Sequence, residues 1–150
     1  YQSVDDRLIP SNIYDSLISF IPRLKNIEYA KLYPEQQTGD GSIEHPFQMP
    51  FYEYADVVHE FEKEVYKFEK DHPEFQLNTY NNIFLMNGLR WDEEVMTKAD
   101  VSNANGQVVM ALILGAIRAE RFCDGTLKDF LELGCIEKWL LRLQEIASKI

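Results

Sequence analysis

The sequence predicts an all-α fold: a single compact bundle of six or seven helices around one central apolar helix. Three observations lead there. The stretch from Gln107 to Ile117 is uncharged and apolar on nearly every side. Two other stretches, around residues 54–68 and 136–147, repeat their apolar residues with the helical period. No segment sustains period-two alternation, so no sheet is expected. At 150 residues, with 45% hydrophobic and 13% aromatic side chains, the chain has the length and composition of one folded domain spanning 1–150.

Each element has its own signal. Pro10, Ser11 and Asn12 read as a helix entry ahead of Ile13, Leu17, Ile18 and Ile21, and Pro22 stops or kinks that helix. A second short helix is expected from Leu24 to Leu32. Residues 34–50 carry Gly39, Gly41 and Pro46 and read as a long loop within the domain, because the piece before it is too short to fold alone. Tyr54, Val57, Val58, Phe61, Val65 and Phe68 then fall on one stripe of a long helix. The pairs Glu60–Lys63 and Glu64–Lys67 suit its solvated side. Asp71, His72 and Pro73 end it.

Asn78 or Thr79 is expected to cap a short helix through Tyr80, Ile83 and Phe84, with Asn87-Gly88 as a left-handed stop. Trp91 to Lys98 adds another turn or two. Asp100 to Asn103 is capping chemistry for the apolar helix, expected from Asn105 to Cys123 and closed by Gly125. Gly115, which costs about 1 kcal/mol against alanine inside a helix, predicts close approach of a neighbouring element. Thr126 to Leu133 forms a short helix stopped by Gly134. The last helix buries Ile136, Trp139, Leu140, Leu143, Ile146 and Ala147, with Leu141 as the outlier.

The net charge is −10. The excess lies wholly before Arg118, and seven acidic residues run from Glu35 to Glu62 without a lysine or arginine. Nucleic-acid binding draws on lysines and arginines that displace phosphate counterions, so direct nucleic-acid binding is not expected. An anionic membrane is repelled likewise, and no apolar run reaches the roughly 20 residues of a spanning helix. Cys123 and Cys135 are the two cysteines. They form neither a disulfide framework nor a zinc spacing, which suggests a reducing cytoplasm. No cofactor or metal is expected. Asp56 and His59 have the spacing of half a di-iron site, but the other half is missing and His59 falls on the polar side of its helix. Cys123 reads as a buried thiol rather than a nucleophile.

Chemistry concentrates where the apolar helix ends, at Arg118, Glu120, Arg121 and Asp124. One reading is structural: arginines favour the negative end of the helix dipole, the carboxylates pair with them or with the next helix, and Phe122 and Cys123 return to the core. The other is functional. Arg118 and Arg121 grip an anion, Glu120 or Asp124 serves as a base, and Tyr52 or Tyr54 walls the pocket. The aromatic stretch Phe47, Met49, Phe51, Tyr52 and Tyr54 is either a lid over the helical core or an amphipathic groove.

Two strings carry a family resemblance. Ile117-Arg118-Ala119-Glu120-Arg121-Phe122-Cys123-Asp124-Gly125 is followed by Gly134-Cys135-Ile136-Glu137-Lys138-Trp139-Leu140-Leu141-Arg142-Leu143. Upstream stands Met49-Pro50-Phe51-Tyr52-Glu53-Tyr54-Ala55-Asp56, opening the long helix. Between Met49 and Leu143 the chain resembles a bacterial family known as domain of unknown function 6508. The resemblance implies a helical bacterial domain in which the two signatures face each other, and it brings no catalytic residues. The expected function is therefore a non-enzymatic interaction or accessory protein with a protein partner, a homodimer among the options. An acidic phosphate mimic is a special case. The alternative is a small enzyme or ligand-binding protein built on the arginine clamp.

Overall fold

The computed structural model describes residues 1–34, 39, 41–44, 46 and 49–149. Residues 35–38, 40, 45, 47 and 48 of the 34–50 loop, including Phe47 of the expected lid and Glu35, Asp40 and His45, lie outside the described residues. Helix dominates, as the periodicity predicts. Two single-turn segments, α1 (Asp15–Ile18) and α2 (Phe20–Arg23), follow the entry at Pro10. Ser19 between them keeps helical angles (φ −59°, ψ −18°), so they form one interrupted rod. Then come α3 (Asp56–Asp71), α4 (Tyr80–Met86), α5 (Glu93–Lys98), α6 (Gly106–Ala119), α7 (Thr126–Glu132) and α8 (Cys135–Ser148).

The central helix is α6. Every residue from Gly106 to Ile117 is buried, and α3, α4, α7 and α8 pack around it. Its N-terminus is capped by Asn105, whose side chain accepts from the Val108 N–H at 2.9 Å, and not by the Asp100–Asn103 stretch. Asp100 instead turns its own loop, accepting from the Ser102 N–H. Asp6 reaches the same helix end from the start of the chain and accepts from the Gly106 N–H at 3.0 Å. Gly115 is required for packing: a Cβ there would meet the Phe84 ring at 2.9 Å. The Gly115 carbonyl accepts the Trp91 indole N–H at 2.9 Å, which ties the start of the α5 region to the middle of α6.

The stripe on α3 buries Val58, Phe61, Val65 and Phe68, while His59 is exposed. The buried side chains form one connected cluster with Trp139 of α8, Phe130 of α7 and Tyr14 at its heart.

Three expectations need correction. There is a sheet: β1 (Ala30–Tyr33) pairs antiparallel with β2 (Phe51–Tyr54), in register Ala30 to Tyr54 and Tyr33 to Phe51. The helix expected over 24–32 does not form, because the rod ends at Arg23 and Asn26 takes a left-handed φ of +56° that leads into β1. Tyr54 consequently belongs to β2 and not to the long helix, although it is buried as the stripe predicted. Finally, α6 ends at Ala119, a turn before the expected Cys123. Residues 120–124 form a tight turn, in which the Phe122 and Cys123 N–H groups both donate to the Ala119 carbonyl.

Candidate functional site

The turn after α6 divides the predicted cluster into two sides. On the inner side, Gly125 starts α7 with φ +93° and, lacking a side chain, leaves the first N–H groups of that helix without a local cap. Glu120 supplies the missing acceptor. Its carboxylate accepts from the Gly125 N–H at 3.0 Å and from the Leu127 N–H at 3.0 Å. The Tyr54 hydroxyl donates to the same carboxylate at 2.7 Å and accepts from the Lys128 N–H at 2.9 Å. Asp124 accepts from the Tyr52 backbone N–H at 2.9 Å. The Tyr52 ring lies under Lys128 Nζ, 5.2 Å from its centroid, and against Gly125, where a Cβ would come within 2.8 Å of it.

Tyr52, Tyr54, Glu120 and Asp124 thus form a clasp that joins the hairpin to the N-terminus of α7. A negative carboxylate at that end also complements the helix dipole. Burial first, and the bond to Glu120 second, hold the Tyr54 phenol far above the ordinary tyrosine range. Nearby Glu62 of α3 is also raised, chiefly by burial, with His59 and Arg121 opposing and Glu120 reinforcing the shift.

The arginines turn to other partners. Neither pairs with Glu120 or Asp124. Arg118 reaches α3, where it meets Glu69 at 3.4 Å, and its guanidinium carbon lies 5.9 Å from the Tyr66 ring and 5.7 Å from that of Tyr80. Arg121 donates to the Tyr66 hydroxyl at 3.4 Å. From there a chain of edge-on rings continues outward. Tyr80 meets Trp91 at 5.3 Å, and Trp91 meets Phe122 at 5.4 Å. Phe122 is 78% exposed and Cys123 is exposed, so neither returns to the core as the periodicity implied. Once α6 stops at Ala119, the helical wheel no longer governs where they point.

Between α5, this turn and α7 lies an open groove of about 270 Å³. Trp91, Met96, Ala119, Phe122, Cys123, Thr126 and Phe130 line it, with Asp92 and Glu93 as its charged members. Neither arginine lines it. Glu93 is held above the ordinary carboxylate range, first by burial and then by Asp129 facing it. Among the described residues no three His, Cys, Asp or Glu side chains converge as a metal cage requires.

Residues 9–149 match the family of unknown function DUF6508. The chain belongs to that family. No curated protein and no solved structure matches it. The DUF6508 match begins some forty residues upstream of Met49, so it takes in the α1–α2 rod and β1 as well as the stretches that carried the resemblance. Those stretches are now physically related: Tyr52 and Tyr54 from one and Glu120 and Asp124 from the other are the partners in the clasp. Among the described helices of this DUF6508 chain, none is long and apolar enough to cross a membrane.

Sequence reasoning missed Trp91, Tyr66, Tyr80, Glu93 and Phe130 as neighbours of the predicted cluster. They come from four helices and one loop, and only tertiary packing brings them together.

Proposed function

We propose that this chain is a non-enzymatic interaction domain that docks a partner protein on the face formed by α5 and the α6–α7 turn. The observation that carries this reading is the exposed Phe122, stacked edge-on to Trp91 over an apolar groove. A phenylalanine left in water beside a half-buried tryptophan contributes little to folding. Tryptophan, tyrosine and arginine are also the residues that dominate binding energy at protein interfaces, and the strip from Tyr66 through Arg118 and Tyr80 to Trp91 supplies all three.

The clamp-and-base reading has less support. The Glu120 carboxylate is already occupied by Tyr54 and two backbone N–H groups, and Arg118 faces Glu69. The acidic mimic is similarly weakened, since Glu60 is ion-paired with Arg23 and Glu62 is partly buried.

The test compares pull-downs from the source organism using the wild-type chain and Phe122→Ser, each verified to have the same melting temperature. The reading expects a protein retained by the wild type, lost with the variant, and recovered when that protein is used as bait. Identical retention by both baits contradicts it.

A further inference from the structure

The groove beside Phe122 has a charge pattern that specifies its occupant more narrowly. It contains two carboxylates, Asp92 and Glu93, and no lysine or arginine. Asp92 is engaged as the cap of α5, accepting from the Val95 N–H at 3.1 Å. Glu93 is not engaged with any cation: it faces Asp129, and Lys128, whose charge Asp129 feels, is ion-paired with Glu132 at 2.8 Å. Glu93 also lines a second depression of about 350 Å³, which continues past it to Leu133, itself 62% exposed. The cation in that depression, Lys98, is held by Glu94 at 2.8 Å. Two facing carboxylates without an ion pair of their own therefore stand beside the apolar groove, with the exposed Leu133 on the far side of Glu93.

We infer that this face binds a short basic, apolar segment of a partner protein. One lysine or arginine would sit against Glu93 and Asp129, with an apolar side chain on either side, one against Trp91 and Phe122 and the other against Leu133. This inference rests on the docking reading above and names the chemistry of its partner. Charge complementarity selects this occupant over the others. A second copy of a chain with net charge −10 would bring more negative charge to the same pair, as would a nucleic acid or an anionic membrane. Among the described residues no third histidine, cysteine or carboxylate joins the pair to make a metal cage.

The test is selection of a phage-displayed library of random linear peptides on the intact chain. Enriched peptides should place lysine or arginine between apolar residues. Their affinity should fall about tenfold or more with Glu93→Lys, less with Asp129→Asn, and should weaken as salt is added. Both positions are exposed, and unchanged circular dichroism and melting temperature verify that the variants fold. Enriched peptides that need Phe122 but carry no excess of basic residues, or that bind Glu93→Lys equally well, overturn this inference and leave the docking face standing. Failure to enrich any peptide sensitive to Phe122→Ser overturns the inference and counts against the docking face as well. Concentration-dependent dimerisation abolished by Phe122→Ser, measured by sedimentation equilibrium, would assign the groove to a second copy instead.

Discussion

The inner and outer sides of the turn at residues 120–125 are built from one continuous stretch of chain, yet they behave as different materials. Glu120 and Asp124 face the hairpin and the start of α7, and the N–H groups and hydroxyl near them are paired. Phe122 and Cys123 face outward, next to carboxylates without an ion pair of their own. The contrast separates the groups that hold the fold from the face proposed for docking. Polar groups that are satisfied hold a fold together, whereas an exposed ring bordering an apolar groove is the feature on which the docking proposal rests.

Breaking the inner side should cost the most. Glu120→Ala removes the acceptor for two N–H groups and for the Tyr54 hydroxyl, and should destabilise the protein by about 2–4 kcal/mol in urea denaturation. Gly125→Ala should cost about 2 kcal/mol, because alanine is strained at φ +93° and its methyl would press on the Tyr52 ring. Calorimetry should show that loss as a lowered melting temperature.

Tyr54→Phe leaves the Lys128 N–H without its acceptor and should cost about 1–2 kcal/mol. It also carries a pH signature. The folded protein holds the Tyr54 proton more tightly than the unfolded chain, whose phenol titrates near its ordinary value of 10.0. Stability from this group is therefore complete below that pH and is lost as pH rises beyond it. Denaturation series across this alkaline range should show a shallower decline for Tyr54→Phe than for wild type.

On the outer side, Phe122→Ser should change stability by less than about 1 kcal/mol, since the exposed ring loses only its edge contact with Trp91. The smallest effect concerns the thiols. A water-soluble thiol reagent should modify exposed Cys123 in the native protein without unfolding it, while buried Cys135 reacts only on denaturation. Mass spectrometry of the labelled peptides distinguishes the two.

The division was only partly legible in the sequence. Helical periodicity identified the stripe on α3, the buried face of α8 and the centrality of α6, because each is a long segment whose burial is set by its own repeat. The hairpin escaped because its strands are four residues each and their connection runs through the long 34–50 loop, so neither sustained alternation nor a tight-turn dipeptide marked it. The aromatic run Phe51 to Tyr54 was noticed, but β2 is held in place by Glu120 and Asp124, some seventy residues away. The charged cluster stood out in the sequence, but its wiring did not. Residue type showed arginines and carboxylates close together. It could not show that the turn after Ala119 sends Arg118 to Glu69 and Glu120 to Tyr54.

The most direct test of the division is a pair of urea unfolding curves, for Glu120→Ala and Phe122→Ser, measured beside wild type at neutral pH. A midpoint sharply lowered by Glu120→Ala and nearly unmoved by Phe122→Ser, with equal slopes, is the predicted result. A Phe122→Ser midpoint that falls as far as that of Glu120→Ala would make the exposed ring a structural element and contradict its assignment to recognition.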